Sequence, residues 1–254
     1  MSDKFISGIY NYCDRWCERC TFTSHCRVYE KTSNLTPEQQ DINNKVFWEN
    51  ISENFKNMFE LLQKEAIRLG IDPNKPLTEE EEREYQIKEE QFEIETGQNL
   101  LFKLCKQYQN ITQPFIEESE GMVDRVRELV DHLHLGINSE EDVVYTMADI
   151  GDCFRIIEWY FFFIEIKLKR ALHGKLEGEE WEVQNGFPKD SDGSAKIAIV
   201  AIEKSMAAWA SLYKLLPSSQ DKALQALSIL EQINRKTLME FPEALQFIRP
   251  GFDE

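Results

Sequence analysis

The sequence predicts an all-α protein, built as an antiparallel bundle of four or more long helices. Glycine and proline are sparse in the 254-residue chain, at 11 and 8 residues. They cluster between long segments in which apolar residues recur with a period of about 3.6 positions. Several of these segments open on helix N-terminal signals, and none alternates apolar and polar residues as a strand would. Since long helices bury their apolar faces most simply side by side, a bundle is the expected architecture.

The first two long helices begin at recognisable signals. Residues 36 to 39, Thr-Pro-Glu-Gln, combine an N-cap, a proline at the first helical position and a capping-box glutamine. The apolar period that follows predicts a helix that ends at Gly70. The next helix starts in the same way at Thr78. We expect it to run to about Ile111, to break or kink at Pro114 and to continue to about Leu135.

Three further helices complete the predicted bundle. Ser139 and the three acidic residues after it open a helix that should end near His173. The other two are expected over residues 194 to 216 and 220 to 240, and each is followed by a proline. Small residues recur along the first of these two helices and predict close contact with a neighbouring helix, at positions 195, 198, 201, 205 and 208.

The charge balance excludes some classes of partner. Asp and Glu outnumber Lys and Arg by 46 to 29, which gives a net charge of −17. Such a surface repels phosphate backbones and anionic lipid, so we expect neither nucleic acid nor a membrane as a partner. The most apolar run, residues 156 to 166, is too short for a bilayer span, and the N-terminal residues lack a signal-peptide core. These features predict a cytoplasmic protein whose cysteines stay reduced.

Four of the six cysteines are crowded near the N-terminus, and these are Cys13, Cys17, Cys20 and Cys26. The i, i+4, i+7 spacing of the first three predicts one face of a helix, and Cys26 is expected to fold back from the turn after Phe22. Four thiolates at one point suit tetrahedral zinc or, alternatively, a [4Fe–4S] cluster. We therefore expect residues 1–30 to form a metal-binding segment and residues 31–254 to form a helical bundle.

Zinc is the expected metal because arginines follow the cysteines closely, at positions 15, 19 and 27. Their charges would offset the two negative charges of a zinc tetrathiolate. The remaining cysteines, Cys105 and Cys153, stand in apolar helical segments and are predicted to be core residues.

Acidic residues within the apolar helix that begins at Ser139 are a second candidate site. Carboxylates on an aromatic helix face are costly to bury unless each has a partner or a metal. They are expected either to form salt bridges between helices or to hold a metal ion. The residues are Asp149, Asp152, Glu158, Glu165 and, on the next helix, Glu203.

Two families of helical metalloenzymes use carboxylates of this kind. Ferritin-like di-iron bundles combine glutamates with Glu-x-x-His, and the nearest pattern here begins at Asp131, as Asp-x-x-His. The all-α nucleoside triphosphate pyrophosphohydrolases hold magnesium with Glu-x-x-Glu followed by Glu-x-x-Asp. The motif Glu-x-x-Glu at Glu117 followed by Asp-x-x-Asp at Asp149 resembles that pattern, with Asp where the family has Glu. Either resemblance implies a catalytic metal inside the bundle.

The sequence leaves two functional hypotheses. The first is a non-enzymatic scaffold or interaction module that carries a structural zinc site and binds another protein. The second is a carboxylate-metal enzyme in the bundle. The chain has no phosphate-binding glycine loop, nucleophile elbow or metalloprotease His pair, which favours the first hypothesis.

Overall fold

The computed structural model describes residues 4–68, 70, 72, 75–119, 121–179, 183–184 and 188–253 of the chain. Within these residues all regular structure is helical and no strand occurs, which confirms the predicted all-α class. The α-helices are α1 Arg27–Ser33, α2 Pro37–Gln40, α3 Lys45–Arg68, α4 Glu79–Gln98, α5 Leu100–Glu117, α6 Met122–His134, α7 Glu140–Tyr160, α8 Phe163–Glu177, α9 Asp190–Leu215 and α10 Gln220–Glu240. A search of the described helices finds none with the length and apolarity of a membrane span.

Contacts within the chain define two compact units. The N-terminal unit consists of Met1–Ile87 together with Pro250–Phe252, and the bundle unit consists of Lys88–Arg249 with the last two residues. The N-terminal unit therefore includes three residues from the opposite end of the sequence. The division expected after residue 30 rests on metal binding and stays a prediction.

Helix α9 is the central element of the bundle unit. Helices α7, α8 and α10 pack against it, and α5 packs against α10 and α7. The small residues of α9 allow these close approaches, as predicted, since all five are buried: Ala195, Ala198, Ala201, Ser205 and Ala208.

Helices α5 and α10 run in opposite directions. At one end, Asn99 Nδ2, at the start of α5, lies 3.1 Å from Glu240 Oε1, at the end of α10. At the other end, a Cβ on Gly121, just after α5, would come within 2.6 Å of Ser219 Oγ, just before α10. The two pairs of contacts establish an antiparallel arrangement for these helices.

Aromatic side chains fill the centre of the bundle unit. Trp209 of α9 is fully buried, and its Nε1–H donates to Tyr108 Oη of α5 at 3.0 Å. The ring of Phe115 lies 4.7 Å from that of Trp209 and stacks on Phe154 of α7 at 4.9 Å. The polar atom of the buried indole thus has a partner, and α5, α7 and α9 share one core.

Three predicted helix starts are confirmed. Thr36 Oγ1 accepts from the Gln39 N–H, and Gln39 Oε1 accepts from the Thr36 N–H in return. This reciprocal pair satisfies two backbone donors that the first helical turn leaves without partners. The same pairing occurs at Thr78 with Glu81 and at Ser139 with Asp142.

The first predicted helix is divided in two. Helix α2 ends at Gln40, and α3 begins at Lys45, so the expected single helix up to Gly70 is wrong. The interruption is an Asx turn, in which Asp41 Oδ1 accepts from the Asn43 N–H at 2.9 Å. Short polar side chains of this type compete with helical hydrogen bonding.

The helix that begins after Thr78 also ends early, at Gln98 rather than near Ile111. Asn99 has an extended backbone, with ψ of 127°, and its side chain accepts from the Leu101 N–H at 2.8 Å. It therefore serves as the N-cap of a new helix, α5.

Pro114 does not end the helix, so of the expected break or kink the break is wrong. Helix α5 continues through it to Glu117. The next residue, Phe115, is fully buried, and its packing against Phe154 and Trp209 holds the last turn in place. Tertiary packing here outweighs the loss of one backbone donor.

The helix expected from Ser139 to His173 is interrupted at residues 161–162 and resumes as α8. Both interrupting residues keep right-handed helical torsions, and their rings lie 4.0 Å apart. Helix α9 begins at Asp190 rather than at residue 194, and α10 has the predicted bounds.

Candidate metal centre

The four N-terminal cysteines surround one small cavity in the N-terminal unit. Its volume is about 30 Å³, which suits one or two small occupants rather than an organic ligand. Cys17 is exposed and the other three thiols are half-buried. The residues that line it include Cys13, Cys17, Cys20, Cys26, Ile9, Arg15, Trp16 and Phe252.

The chain between Cys13 and Cys17 is not helical, so the predicted single helix face for the first three cysteines is wrong. Arg15 has a left-handed backbone with φ of 59°. Asp14 Oδ1 accepts from the Trp16 N–H at 3.2 Å and stabilises the turn. The cysteines reach one cavity through this reversal, and a single 3₁₀ turn over Cys17–Arg19 follows it.

Backbone N–H groups point at two of the sulfur atoms. The Phe22 N–H donates to Cys20 Sγ at 3.4 Å, and the Tyr29 N–H donates to Cys26 Sγ at 3.5 Å. The second contact makes Cys26 the N-cap of α1. Such donors favour the anionic form of a sulfur ligand and orient it, as outer-shell partners of metal ligands do. The 3₁₀ turn Thr23–His25 brings Cys26 back to the cavity, as expected for the turn after Phe22.

Apolar side chains enclose the cavity. Ile9 is 2% exposed and Trp16 is 9% exposed. The Arg19 guanidinium lies over the Trp16 ring, 3.9 Å from its centroid. Phe252, from the C-terminal end of the chain, meets Phe22 edge to face at 5.0 Å. Three of the four cysteines are therefore partly shielded from water, and positive charge stands nearby.

The electrostatics of the cavity oppose the simultaneous ionisation of its thiols. Burial raises the pKa of Cys17, and the negative charges of the other three thiolates raise it further. Four thiolates in one place therefore require a cation among them. In the part of the chain that the structure describes, no three Cys, His, Asp or Glu side chains already form a set that could hold a metal ion.

The other two cysteines are core residues, as predicted. Cys105 is 2% exposed and Cys153 is 7% exposed. Burial raises the pKa of each thiol, so both stay protonated and unreactive at neutral pH.

The carboxylates of the second candidate site are not brought together. Asp149, Glu158 and Glu203 are exposed. Asp152 pairs with Arg155 on its own helix at 3.0 Å. Glu165 pairs with Lys169 one turn along α8 at 2.7 Å and accepts a hydrogen bond from Gln109 of α5. Asp152 and Glu165 therefore have partners, and among the described residues the five carboxylates do not form one cluster.

The residues of the two enzyme-like motifs do not form a metal site either. Asp131 and His134 are both exposed on α6. Glu117 accepts a hydrogen bond from Gln113 at 2.8 Å, whereas Glu120 lies outside the described residues. The described geometry therefore gives the carboxylate-metal hypothesis no assembled ligand set.

Sequence reasoning missed the residues that the C-terminal end adds to the cavity. Gly251 has a φ of +77°, and a Cβ there would come within 2.9 Å of Ile6 Cδ1 and 3.1 Å of Ile9 Cδ1. The Pro250-Gly251 dipeptide is a turn signal, and it could have indicated that the chain reverses before Phe252.

Comparison with known protein families, with curated proteins and with solved structures finds no match to the chain. Function is therefore inferred from the cysteine cavity and from the helical units themselves.

Proposed function

We propose that the protein is a non-enzymatic helical scaffold or interaction protein whose N-terminal cysteines bind one structural zinc ion. The observation that supports this proposal is the convergence of four thiols on one small cavity. The ligands are Cys13, Cys17, Cys20 and Cys26. Thiolate groups in this number suit a closed tetrahedral site, which stabilises a fold and leaves no position open for catalysis.

The size of the cavity and the arginines near it suit a zinc tetrathiolate. A volume of about 30 Å³ is of the order needed for a single small occupant such as one ion. A zinc tetrathiolate carries two negative charges. Arg15 lines the cavity and Arg19 covers the Trp16 ring, so two cations stand close to that charge.

Zinc would supply stability that the cysteine segment otherwise lacks. Before α1, the described chain has only single turns of 3₁₀ helix, over Ile9–Asn11, Cys17–Arg19 and Thr23–His25. Short turns of this kind are weakly stable on their own. The thiol side chains would close in on the ion, and the free energy of binding would become free energy of folding for the segment.

The scaffold part of the proposal is supported by the carboxylates. Asp149, Glu158 and Glu203 are exposed, and Asp152 and Glu165 have local partners. A role in binding another protein needs no further chemical group in the bundle. The partner is expected to be a protein, because the net charge of −17 disfavours nucleic acid and anionic lipid.

Cobalt substitution tests the ligand set directly. Reduced, metal-free protein titrated with Co²⁺ should develop the strong visible absorption of tetrahedral cobalt thiolate and saturate at about one ion per chain. Cys17→Ser should weaken the charge-transfer bands, and Cys153→Ala, which removes a thiol far along the sequence, should leave them unchanged.

Three results would count against the proposal. An octahedral cobalt spectrum without thiolate bands would exclude the four cysteines as ligands. A purified protein with broad visible absorption that dithionite bleaches would show an iron–sulfur cluster instead of zinc. Tightly bound iron or magnesium that is lost on substituting Asp149 or Glu165 would favour the enzyme hypothesis.

A further inference from the structure

Helix α3 carries an apolar face that is largely exposed in the part of the chain that the structure describes. None of its 24 residues is buried. The exposed fractions of Trp48, Phe55 and Phe59 are 56%, 55% and 59%. Aromatic residues at such exposure on one helix indicate a surface that another molecule covers, since isolated apolar residues, and not rows of them, are usual on monomers.

The apolar residues of α3 form one continuous stripe. At about 100° per residue, eight of them fall within an arc of about 120° along the whole helix, and Val46, Leu61 and Ile67 lie outside it. This surface, the α3 stripe, consists of Phe47, Trp48, Ile51, Phe55, Met58, Phe59, Leu62 and Ala66. The helix also carries four Lys or Arg residues and four Glu residues, which sum to zero charge, and only Glu65 borders the stripe.

The α3 stripe has about the area that a helix-pair interface requires. A large aromatic side chain offers roughly 150–250 Å² of surface. The half-exposed residues of the α3 stripe together present on the order of 400–500 Å² of apolar area. A stable interface buries roughly 800 Å² on each partner, with an apolar core and a polar rim. The stripe supplies the core, and the polar residues beside it supply the rim.

We propose that the α3 stripe is the interface of a homodimer, in which α3 of a second copy lies antiparallel on it. An isologous pairing requires a surface that is complementary to itself, and a neutral, uniformly apolar stripe meets that requirement. The repeat of apolar positions 48, 51, 55, 58 and 62 follows the 3-and-4 spacing of a helix-pair seam.

Side-chain size fixes the antiparallel direction. The largest side chain, Trp48, is near the N-terminal end of the stripe, and the smallest, Ala66, is near its C-terminal end. A parallel pair would place Trp48 against its own copy and leave a void between the two Ala66 residues. The antiparallel pair sets Ile51 opposite Leu62 and Phe55 opposite Met58, and Trp48 then faces the turn that holds Glu65 and Ala66. Opposed helix dipoles favour the same direction.

The charge of α3 disfavours a lipid surface as the alternative occupant. Interfacial helices that bind anionic membranes concentrate Lys and Arg on their polar face. The polar face of α3 has as many Glu residues as Lys and Arg residues, so it offers no net attraction to such lipid.

Sedimentation velocity or light scattering on the full, metal-loaded chain at tens of micromolar tests the proposal. The wild-type protein should have a mass near twice 29.9 kDa. Phe55→Glu and Met58→Glu should each reduce it to that of one chain with unchanged circular dichroism. Ile67→Glu, the same change at a 70% exposed residue outside the stripe, should leave the dimer intact. A wild-type mass of one chain, or a dimer that resists both stripe substitutions, would overturn the proposal.

The direction of pairing is tested by a charge pair. Trp48→Glu should weaken the dimer, and adding Ala66→Lys should restore much of it, because in an antiparallel pair the new lysine lies one residue from the position that faces the new glutamate. If the double variant dissociates as much as Trp48→Glu alone, the helices are not antiparallel. Binding of the wild type to neutral or anionic vesicles, with a monomeric mass in solution, would assign the stripe to lipid and contradict the dimer.

Discussion

The Arg249 guanidinium and the Asp253 carboxylate form a two-point ion pair at the end of the bundle unit. The Nη2–Oδ1 distance is 2.7 Å and the Nε–Oδ2 distance is 3.0 Å. The side chains are only 13% and 19% exposed. The hydrogen bonds from Arg249 lower the pKa of Asp253 to about 2, from an ordinary value of 3.8. Paired charges of this geometry are stronger than typical surface salt bridges.

This lowered pKa makes part of the stability depend on pH. The contribution is complete above pH 3.8, the ordinary value, and is lost as the pH falls through about 2. We expect Asp253→Asn to lower the free energy of unfolding at pH 7 by about 1–2 kcal/mol, measured in urea. Asp124→Asn is the control, because its pair with Arg127 is 74% exposed on both sides and should contribute almost nothing. Equal effects of the two substitutions would contradict a stabilising role for the ion pair between Arg249 and Asp253.

A second residue-scale prediction concerns the buried hydrogen bond between Tyr108 and Trp209. Burial raises the pKa of Tyr108 to about 12, so its hydroxyl stays neutral and remains an acceptor for the indole N–H. Tyr108→Phe leaves that buried donor without a partner and should cost about 1–3 kcal/mol in a denaturation experiment. Tyr145→Phe, at a 62% exposed residue, should cost nothing measurable. An equally stable Tyr108→Phe variant would show that the bond is dispensable.

At the scale of elements, capping chemistry and hydrophobic period predict much of the fold. The starts at Thr36, Thr78 and Ser139 depend on a few adjacent residues, so the sequence shows them directly. The continuation through Pro114 depends on packing between distant segments, and the local sequence does not show it. The N-cap at Asn99 is local, but the apolar period around it hides the start of a new helix.

At the candidate site, too, neighbouring residues predict some features, and contacts between distant residues decide others. Thiol crowding indicates a metal site from the sequence alone. The left-handed Arg15 and the contact of Phe22 with Phe252 could not be predicted, since one is a rare conformation for a residue with a side chain and the other joins the two ends of the chain.

Gly251 provides an element-scale prediction for the cavity. Gly251→Ala places a Cβ against Ile6 and Ile9 and strains a backbone with φ of +77°, so it should loosen the turn that carries Phe252. The expected result is weaker zinc retention in competition with a chromophoric chelator. Gly97→Ala is the control, because Gly97 lies in α4 with no atom within 4 Å of the added Cβ. Unchanged zinc retention in Gly251→Ala would show that the turn at Gly251 does not contribute to zinc binding.

At the scale of the whole molecule, the proposed ligands all belong to the N-terminal unit. Removal of zinc should therefore loosen the cysteine segment and leave the bundle unit folded. We expect a strong chelator to increase proteolysis near Cys26 with little loss of far-ultraviolet circular dichroism. A collapse of the helical signal on chelation would show that the ion holds the bundle as well.

The pH dependence of zinc binding follows from the protonation of the cysteine thiols. The raised pKa of Cys17 means that zinc must displace protons, so affinity should fall as the pH decreases. Competition titrations between pH 6 and 8 should show this decrease. An affinity that stays constant over this range would argue against thiolate ligands.

The most direct test of the account is the metal content of the purified protein, kept reduced throughout, by elemental analysis. We predict about one zinc per chain for the wild type and for Cys153→Ala, with most of it lost in Cys17→Ser. The helical circular dichroism should persist in all three proteins. A wild-type protein without metal, in which all four N-terminal thiols react freely with a thiol reagent, would contradict the account.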